Sequence, residues 1–202
     1  MITYHMEQYT DDYWKAKLGR LSASSMEKII SPTGRSSSQD KEYVFKQLAE
    51  LETGYHEETA NTAAMKRGLA LEPAARESFT FLTGLPATEV GVVLSSKYEF
   101  MCCSPDILGE TYGAELKCPS PGVHLKYRFD GVVPLKYRPQ VYTSLWICDE
   151  VDEWYFMSHH PDMTDFYVSV NREDPNYITY VTALEKKLPE ILEFIEKVKR
   201  VM

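Results

Sequence analysis

The chain has 202 residues, 44% of them hydrophobic, and its formal net charge is −8 at pH 7. This length and apolar content predict one well-buried domain over residues 1–202. The acidic balance argues against a protein that coats nucleic acid through bulk positive charge, although a local basic groove remains compatible with it. The longest apolar stretches have the length of strands, which argues against a transmembrane helix.

The cysteines and the first residues bear on compartment. Cys102, Cys103, Cys118 and Cys148 form no Cys-x-x-Cys pair, so neither a zinc site nor a disulfide framework is indicated. Buried free thiols in a reducing cytoplasm are the expectation. Polar residues follow the first five positions, so no signal peptide is predicted and no membrane partner is expected.

The first half of the chain has the apolar spacing of helices. Helices are predicted at Asp11 to Lys17, from Ser24, at about Gln39 to Leu51, and at about Thr59 to Leu82. Ser24 with Glu27 three residues later has the spacing of a capping box at a helix start. Residues 31–38 are rich in Ser, Pro and Gly, which predicts a mobile loop.

The second half changes to the alternating pattern of strands. Strands are predicted at Thr88 to Leu94, Phe100 to Cys103, Tyr112 to Lys117, Asp152 to Ser158 and Phe166 to Val170. One helix is predicted at about Pro134 to Trp146, and an amphipathic helix from about Pro175. This order predicts an α/β domain with a central mixed β-sheet flanked by helices.

The strongest chemical signal is the spacing Asp-x8-Glu-Leu-Lys, formed by Asp106, Glu115, Leu116 and Lys117. Strand alternation places Glu115 and Lys117 on one face and Leu116 in the core. Two carboxylates beside an ammonium suit Mg²⁺ or Mn²⁺ and a metal-activated water, which is the chemistry of phosphodiester hydrolysis. A hairpin with surface charges is the simpler alternative, and in isolation the commoner one.

Other polar residues have weaker signals. Lys17, Arg20, Ser22 and Ser24 form a polar cluster beside a predicted helix start, where backbone amides favour a phosphate. Helix capping alone would explain the same residues. Glu72 is predicted to face a specific partner, because the small residues around it suggest close packing; a solvated helical carboxylate is the alternative. The adjacent His159 and His160 are expected to be structural.

A series of short motifs follows in a fixed order from Trp14 to Phe156: Trp14, Leu18-Gly19, Ser22-Ala23-Ser24, Gly68-x3-Glu72, Ser104-Pro105-Asp106, Glu115-Leu116-Lys117-Cys118-Pro119 and Gln140-Val141. In this order they resemble the lambda-type phage recombination exonucleases, a viral recombinase family within the PD-(D/E)xK nuclease superfamily. The resemblance implies a restriction-endonuclease-like fold in which Asp106, Glu115 and the carbonyl of Leu116 hold two Mg²⁺ ions. It implies that Lys117 orients or deprotonates the attacking water. Glu72 and Gln140 would complete the active-site shell.

The resemblance also implies a function. The expected activity is 5′→3′ exonuclease action on double-stranded DNA ends, leaving 3′ overhangs for a single-strand annealing protein. A ring-shaped homotrimer is expected, as is a phage or prophage origin in a bacterial host.

The chain departs from the family pattern at two positions. Lys17 stands where the family usually places an arginine that binds the 5′-phosphate, so Arg20 or Arg35 could share that task. Ile107 stands where a glycine commonly follows the aspartate.

Further basic residues are expected to face the DNA channel: Lys126, Arg128, Lys136 and Arg138.

Two other classes of protein are compatible with parts of the pattern. A restriction-like or Cas4-like nuclease would share the superfamily, but a Cas4-like protein is expected to carry an iron–sulfur cysteine set that this chain lacks. A non-catalytic DNA-end-binding protein would be expected to have lost a carboxylate or the lysine, and all three are present.

Overall fold

The computed structural model describes residues 1–57 and 62–202. The helices are α1 (Asp11–Lys17), α2 (Asp40–Thr53), α3 (Ala63–Thr83), α4 (Pro121–Asp130), α5 (Arg138–Ile147) and α6 (Pro175–Lys199). The strands are β1 (Ile2–Tyr4), β2 (Leu21–Ser22), β3 (Val92–Leu94), β4 (Met101–Cys103), β5 (Ile107–Leu108), β6 (Tyr112–Lys117), β7 (Glu153–Ser158) and β8 (Phe166–Asn171). Short 3-10 helices lie at Ala23–Lys28 and Leu135–Tyr137.

The strands form two four-stranded sheets, in the orders β1-β3-β4-β2 and β5-β6-β7-β8. Each sheet is mixed, because β2 pairs with β4 and β6 pairs with β7 in parallel while the other pairs are antiparallel. The predicted α/β class with flanking helices is confirmed, but the strands divide into two mixed sheets instead of the single central sheet that was predicted. Strand β6 is an inner strand between β5 and β7, so its backbone is held on both sides.

Two apolar clusters lie on opposite faces of β6. The larger one contains Trp154 and Tyr142, both almost fully buried, and it packs α5 and α6 against the strands. The smaller one contains Phe79 of α3 and Leu116 of β6. Leu116 therefore points into the core, as the alternation predicts, and its neighbours Glu115 and Lys117 take the other face.

Three of the four cysteines are buried, as expected, and Cys118 is partly exposed. All four are free thiols, and Cys102, Cys103 and Cys148 are buried. The Sγ atoms of Cys103 and Cys148 lie 3.7 Å apart. Within the described parts of the chain, no helix has both the length and the apolar composition to cross a membrane.

The capping box predicted at Ser24 is wrong. The segment is a 3-10 helix that begins at Ala23, and Ser22 at its N-cap makes no side-chain capping bond. The hydroxyls of Ser22 and Ser24 instead bond to each other at 3.0 Å. Because a 3-10 turn is tighter than an α-turn, the spacing that suits an α-helical capping box does not apply here.

The other helix predictions differ mainly at their ends. The predicted start of α3 at Thr59 lies outside the described residues, and α3 is described from Ala63, capped by the Thr62 hydroxyl. It ends at Gly84, whose φ of 73° is the left-handed conformation that glycine tolerates. Helix α4 was not predicted, because its first two residues are Pro121 and Gly122. Proline is favoured at the first helical position, and the glycine obscured that signal.

Candidate active site

Asp106 is fixed against the strand that carries the other predicted ligands. It lies between β4 and β5, and its Oδ2 accepts the backbone N–H of Leu116 at 2.6 Å. The preceding carbonyl, of Pro105, accepts a hydrogen bond of 3.0 Å from the Gln8 side chain. The Leu116 N–H therefore holds the Asp106 side chain against β6, and Gln8 holds the backbone just before it.

Glu115 and Lys117 share one face of β6 and form an ion pair. The Glu115 residue is only 2% exposed, and the side chain of Gln140, on α5, lies near its carboxylate and favours the charged form. Burial raises the pKa of Glu115 to about 7; Lys117 opposes the rise and Asp106 adds to it. Burial would lower the pKa of Lys117, but Glu115 and Asp106 more than offset this, so its pKa is raised and the ammonium stays charged.

The donor set fits a divalent cation. Burial also raises the pKa of Asp106, and Lys117, the Leu116 N–H and Arg76 oppose the rise, so Asp106 and the buried Glu115 both draw on the charge of Lys117. A hard dication would relieve that repulsion. In residues 1–57 and 62–202 no group of three or more His, Cys, Asp or Glu is placed to hold a metal. Further ligands would therefore be water or backbone oxygens, such as the carbonyl of Leu116.

Glu72 lies near these carboxylates but not in a close-packed setting. A side chain at Gly68 would meet nothing within 4 Å, and of the neighbouring alanines only Ala75 is buried, so the packing prediction was wrong. Arg76, which sequence reasoning missed, pairs with Glu72 and donates to the Asp106 carbonyl at 3.2 Å. The i,i+4 spacing of Glu72 and Arg76 was the available signal.

Two clefts meet at the carboxylates. The first has a volume of about 360 Å³, and its walls include Asp106, Glu115, Lys117 and Gln140. The second, of about 510 Å³, includes Glu72, Asp106, Leu116 and Lys117. Both clefts are lined by Asp106 and Lys117 together with Tyr9 and Met65. The structure therefore brings all the predicted catalytic and metal-binding residues to one two-armed depression.

The first cleft also contains most of the predicted phosphate-binding residues. Lys17, Ser22 and Ser24 line it, and the Lys17 ammonium bonds to the Tyr13 hydroxyl at 3.0 Å. Arg20 is not among the lining residues; its guanidinium donates to the carbonyls of Glu99 and Ala16. Arg20 is therefore committed to backbone contacts rather than to the cleft.

Ser104 is a further cleft residue that sequence reasoning missed. Its hydroxyl is buried and has no hydrogen-bond partner, and it lines the first cleft beside Asp106. A buried hydroxyl without a partner costs free energy unless a ligand satisfies it. Its place in the motif Ser104-Pro105-Asp106 was the signal.

Four of the five remaining basic candidates do not line either cleft. Arg35 is exposed in the loop of residues 31–38, and Arg128 is exposed on α4. Lys126 pairs with Asp130, and Arg138 donates to the Val133 carbonyl. Of the five candidates, Lys136 lines the second cleft, with its ammonium 4.6 Å from the Tyr137 ring centroid.

A buried polar group supports the end of β6. The N–H of His159 donates to the Lys117 carbonyl at 2.8 Å, and the His159 ring bonds to Asp165 at 2.9 Å. Asp165 also accepts from Ser78 on α3. The structural role expected for His159 fits these contacts, which tie α3 to the strand that carries Lys117.

Comparisons with known proteins agree with this geometry. Residues 12–151 match the YqaJ-like viral recombinase domain. The fold is similar to that of an alkaline exonuclease, LHK-Exo, from Laribacter hongkongensis, with 28% sequence identity, a TM-score of 0.78, and coverage of 95% of this chain and 97% of that chain. The structure of LHK-Exo in complex with dAMP gives the same identity and coverage, with a TM-score of 0.77.

A more distant structure shares the fold. It is a phage-related exonuclease from Haemophilus somnus 129PT, with 16% identity, a TM-score of 0.58, and coverage of 91% of this chain and 96% of that chain. A search of curated proteins gives no match.

Proposed function

This chain belongs to the YqaJ-like viral recombinase family, and from that premise we propose that it is a metal-dependent 5′→3′ exonuclease acting on double-stranded DNA ends. Its similarity to an alkaline exonuclease over nearly the whole of both chains supports a nuclease activity. The observation that carries the finer proposal is the first cleft. There the carboxylates Asp106 and Glu115 share one cavity with Lys17, Ser24 and an unpartnered Ser104 hydroxyl.

The carboxylate end of this cleft is where hydrolysis would take place. Mg²⁺ or Mn²⁺ held by Asp106, Glu115 and the Leu116 carbonyl, as two ions, would polarise the scissile phosphate and acidify a bound water. Lys117 keeps its positive charge beside Glu115, where it can stabilise charge on the phosphate in the transition state or orient the water. Gln140 lines the same cleft as Glu115 and favours the charged form of its carboxylate.

The other end of the cleft accounts for the proposed polarity. The ammonium of Lys17 and the hydroxyls of Ser22, Ser24 and Ser104 offer charge-assisted and neutral hydrogen bonds to a terminal phosphate. A phosphate anchored there would place the next phosphodiester at the carboxylates, so cleavage would release a 5′-mononucleotide. The crystal structure of the related LHK-Exo in complex with dAMP supports a nucleotide-sized site of this kind.

We extend the proposal to assembly and partners. A chain with a net charge of −8 gains little affinity for a polyanion from counterion release. A homotrimeric ring around DNA would keep the enzyme on its substrate without relying on charge, and the 3′ overhang would be passed to a single-strand annealing protein. Light scattering should give a trimeric mass; a monomeric mass, with digestion halted at once by a DNA trap, would exclude the ring.

The activity is tested with linear duplexes labelled at either the 5′ or the 3′ end. With Mg²⁺ we expect early release of the 5′ label as a mononucleotide from a 5′-phosphorylated strand, and none in EDTA. Early release of the 3′ label would contradict the polarity. Absence of release with both Mg²⁺ and Mn²⁺, from protein with a cooperative thermal melt, would contradict the nuclease assignment.

A further inference from the structure

Tyr9 has a backbone conformation that side chains normally avoid. Its φ is 67°, and among the described residues it is the non-glycine position with a positive φ. This left-handed conformation is disfavoured by contact between the Cβ and the backbone. Such a conformation persists where the surrounding contacts over-determine it, which happens most often at functional sites.

The contacts on either side of Tyr9 supply that constraint. The Gln8 side chain donates to the carbonyls of Val90 at 2.9 Å and Pro105 at 3.0 Å. On the other side, the Thr10 hydroxyl donates to the Glu7 carbonyl at 2.9 Å and caps α1. Both neighbours are therefore fixed, and Gln8 is tied to the residue that precedes Asp106.

The ring of Tyr9 stands where the two clefts meet. It lines both clefts together with Asp106 and Lys117, yet the residue is 53% exposed. The Tyr13 and Trp14 rings contact it at centroid distances of 5.6 Å and 6.1 Å, at tilted and edge-on angles. These two rings pack against it and leave about half of the residue exposed where the two clefts meet.

We propose that Tyr9 binds substrate by stacking on an unpaired base of the strand that is cut. The inference rests on the proposed exonuclease function. To bring its phosphodiester to buried carboxylates, the cut strand must separate from its complement, so a base near the scissile phosphate loses both its pairing partner and its stacking neighbour. A rigid aromatic ring replaces that neighbour and accepts any of the four bases, because each has a π-face.

The test separates the ring from the backbone and from the hydroxyl. Tyr9→Asn removes the ring with a residue that tolerates the left-handed conformation, and Tyr9→Phe keeps the ring and removes the hydroxyl. Each is compared with Tyr9 in a Lys117→Ala background, so that the DNA stays intact. The probe is a 5′-phosphorylated duplex with 2-aminopurine at the first or the second nucleotide, whose fluorescence is quenched by stacking.

At one of the two positions we expect the complexes of Tyr9 and Tyr9→Phe to fluoresce less than the complex of Tyr9→Asn, in which the unpaired base has lost its stacking partner. The Asn variant should also bind the duplex end at least about fivefold more weakly, since base–aromatic stacking contributes ~1–3 kcal/mol per base. If the Asn variant melts early, Tyr9→Gly, which accepts the same backbone, serves as the ring-free variant.

Two results would overturn the inference: equal fluorescence with and without the ring at both positions, or a rise in Tyr9→Phe as large as in Tyr9→Asn. The last result would assign the contact to the hydroxyl. The proposed function fails independently, because it requires Mg²⁺-dependent nucleotide release from protein with an intact Lys117. Ring-dependent quenching without such release would leave Tyr9 as a DNA-end contact and remove the exonuclease.

Discussion

The two clefts that meet at Asp106 and Lys117 differ in size and in lining. The first, of about 360 Å³, is walled by charged and hydroxyl groups that include Lys17, Ser104 and Glu115. The second, of about 510 Å³, is larger and is lined by partly exposed apolar side chains such as Leu69 and Val123 along with Lys136. We propose that the first cleft fixes one charged terminus and that the second carries the rest of the DNA.

The largest effect should come from the residues that both clefts share. We expect Asp106→Ala to reduce nucleotide release below detection and Lys117→Ala to slow it by roughly 10²–10³-fold, the effect of removing a preorganised charge from a transition state. Binding of duplex ends should change little in the lysine variant. Single-turnover release and thermal melting measure both effects.

Arg20→Ala is the matched control for lost charge, since its guanidinium bonds to the carbonyls of Glu99 and Ala16 and lies outside both clefts. A tenfold loss of rate corresponds to ~1.4 kcal/mol of activation free energy. A folded Lys117→Ala protein that loses less than this would show that Lys117 does not take part in catalysis.

The next effect should be confined to the first cleft. Lys17→Ala and Ser104→Ala should reduce the preference for 5′-phosphoryl over 5′-hydroxyl ends, by roughly 10-fold or more for the lysine, because a hydrogen bond to a charged group contributes ~1.5–3 kcal/mol. The measurement is the ratio of initial release rates on the two ends. If wild-type protein shows no preference, the phosphate anchor is excluded.

The sequence predicted the site residues that are positioned by local strand alternation. It missed residues that reach the site through contacts between segments distant in sequence. Glu115 and Lys117 share a face because strand alternation is a local property, and β6 has the predicted bounds Tyr112–Lys117. Arg76 and Tyr9 join the site through contacts between distant segments, such as Arg76 with the Asp106 carbonyl. No periodicity in the sequence reports such contacts.

The wrong predictions have the same origin. The residues around Glu72 are small, which favoured close packing, but the N-terminal part of α3 is exposed and forms a wall of the second cleft. Size alone does not indicate whether a helix face meets protein or solvent. Equally, the serines near Ser24 fit a cap or a phosphate site, and only the fold shows that Ser22 and Ser24 bond to each other.

A third prediction concerns the stability of the metal-free protein. Burial raises the pKa of Glu115 from 4.5 to about 7; Lys117 opposes this rise and Asp106 adds to it. Between those pH values the folded state binds more protons than the unfolded state, so the free energy of unfolding falls as pH rises from about 4.5 to about 7. Above about pH 7 the full cost of burying the ionised carboxylate remains.

Glu115→Gln should therefore increase the free energy of unfolding at pH 8 in EDTA by up to roughly 3 kcal/mol, which is measured as a higher melting temperature. Near pH 4.5 the substitution should have little effect. Addition of Mg²⁺ should stabilise the wild type and not the variant, because only the wild type keeps the second carboxylate. An equal shift at both pH values would show that the carboxylate is not strained by its burial.

The smallest effect should come from the second cleft. Lys136 lines it without a salt bridge among the pairs described, and Lys136→Ala should weaken duplex binding by a few-fold while leaving single-turnover release at saturating DNA unchanged. When a lysine that contacts phosphate is removed, the slope of log Kd against log salt concentration falls by about 1. Lys126, on α4 and paired with Asp130, is the matched control, and Lys126→Ala should leave the slope unchanged. Equal slopes for both variants and the wild type would mean that DNA does not follow the second cleft, and the contrast between a terminus-binding arm and a polymer-binding arm would be lost.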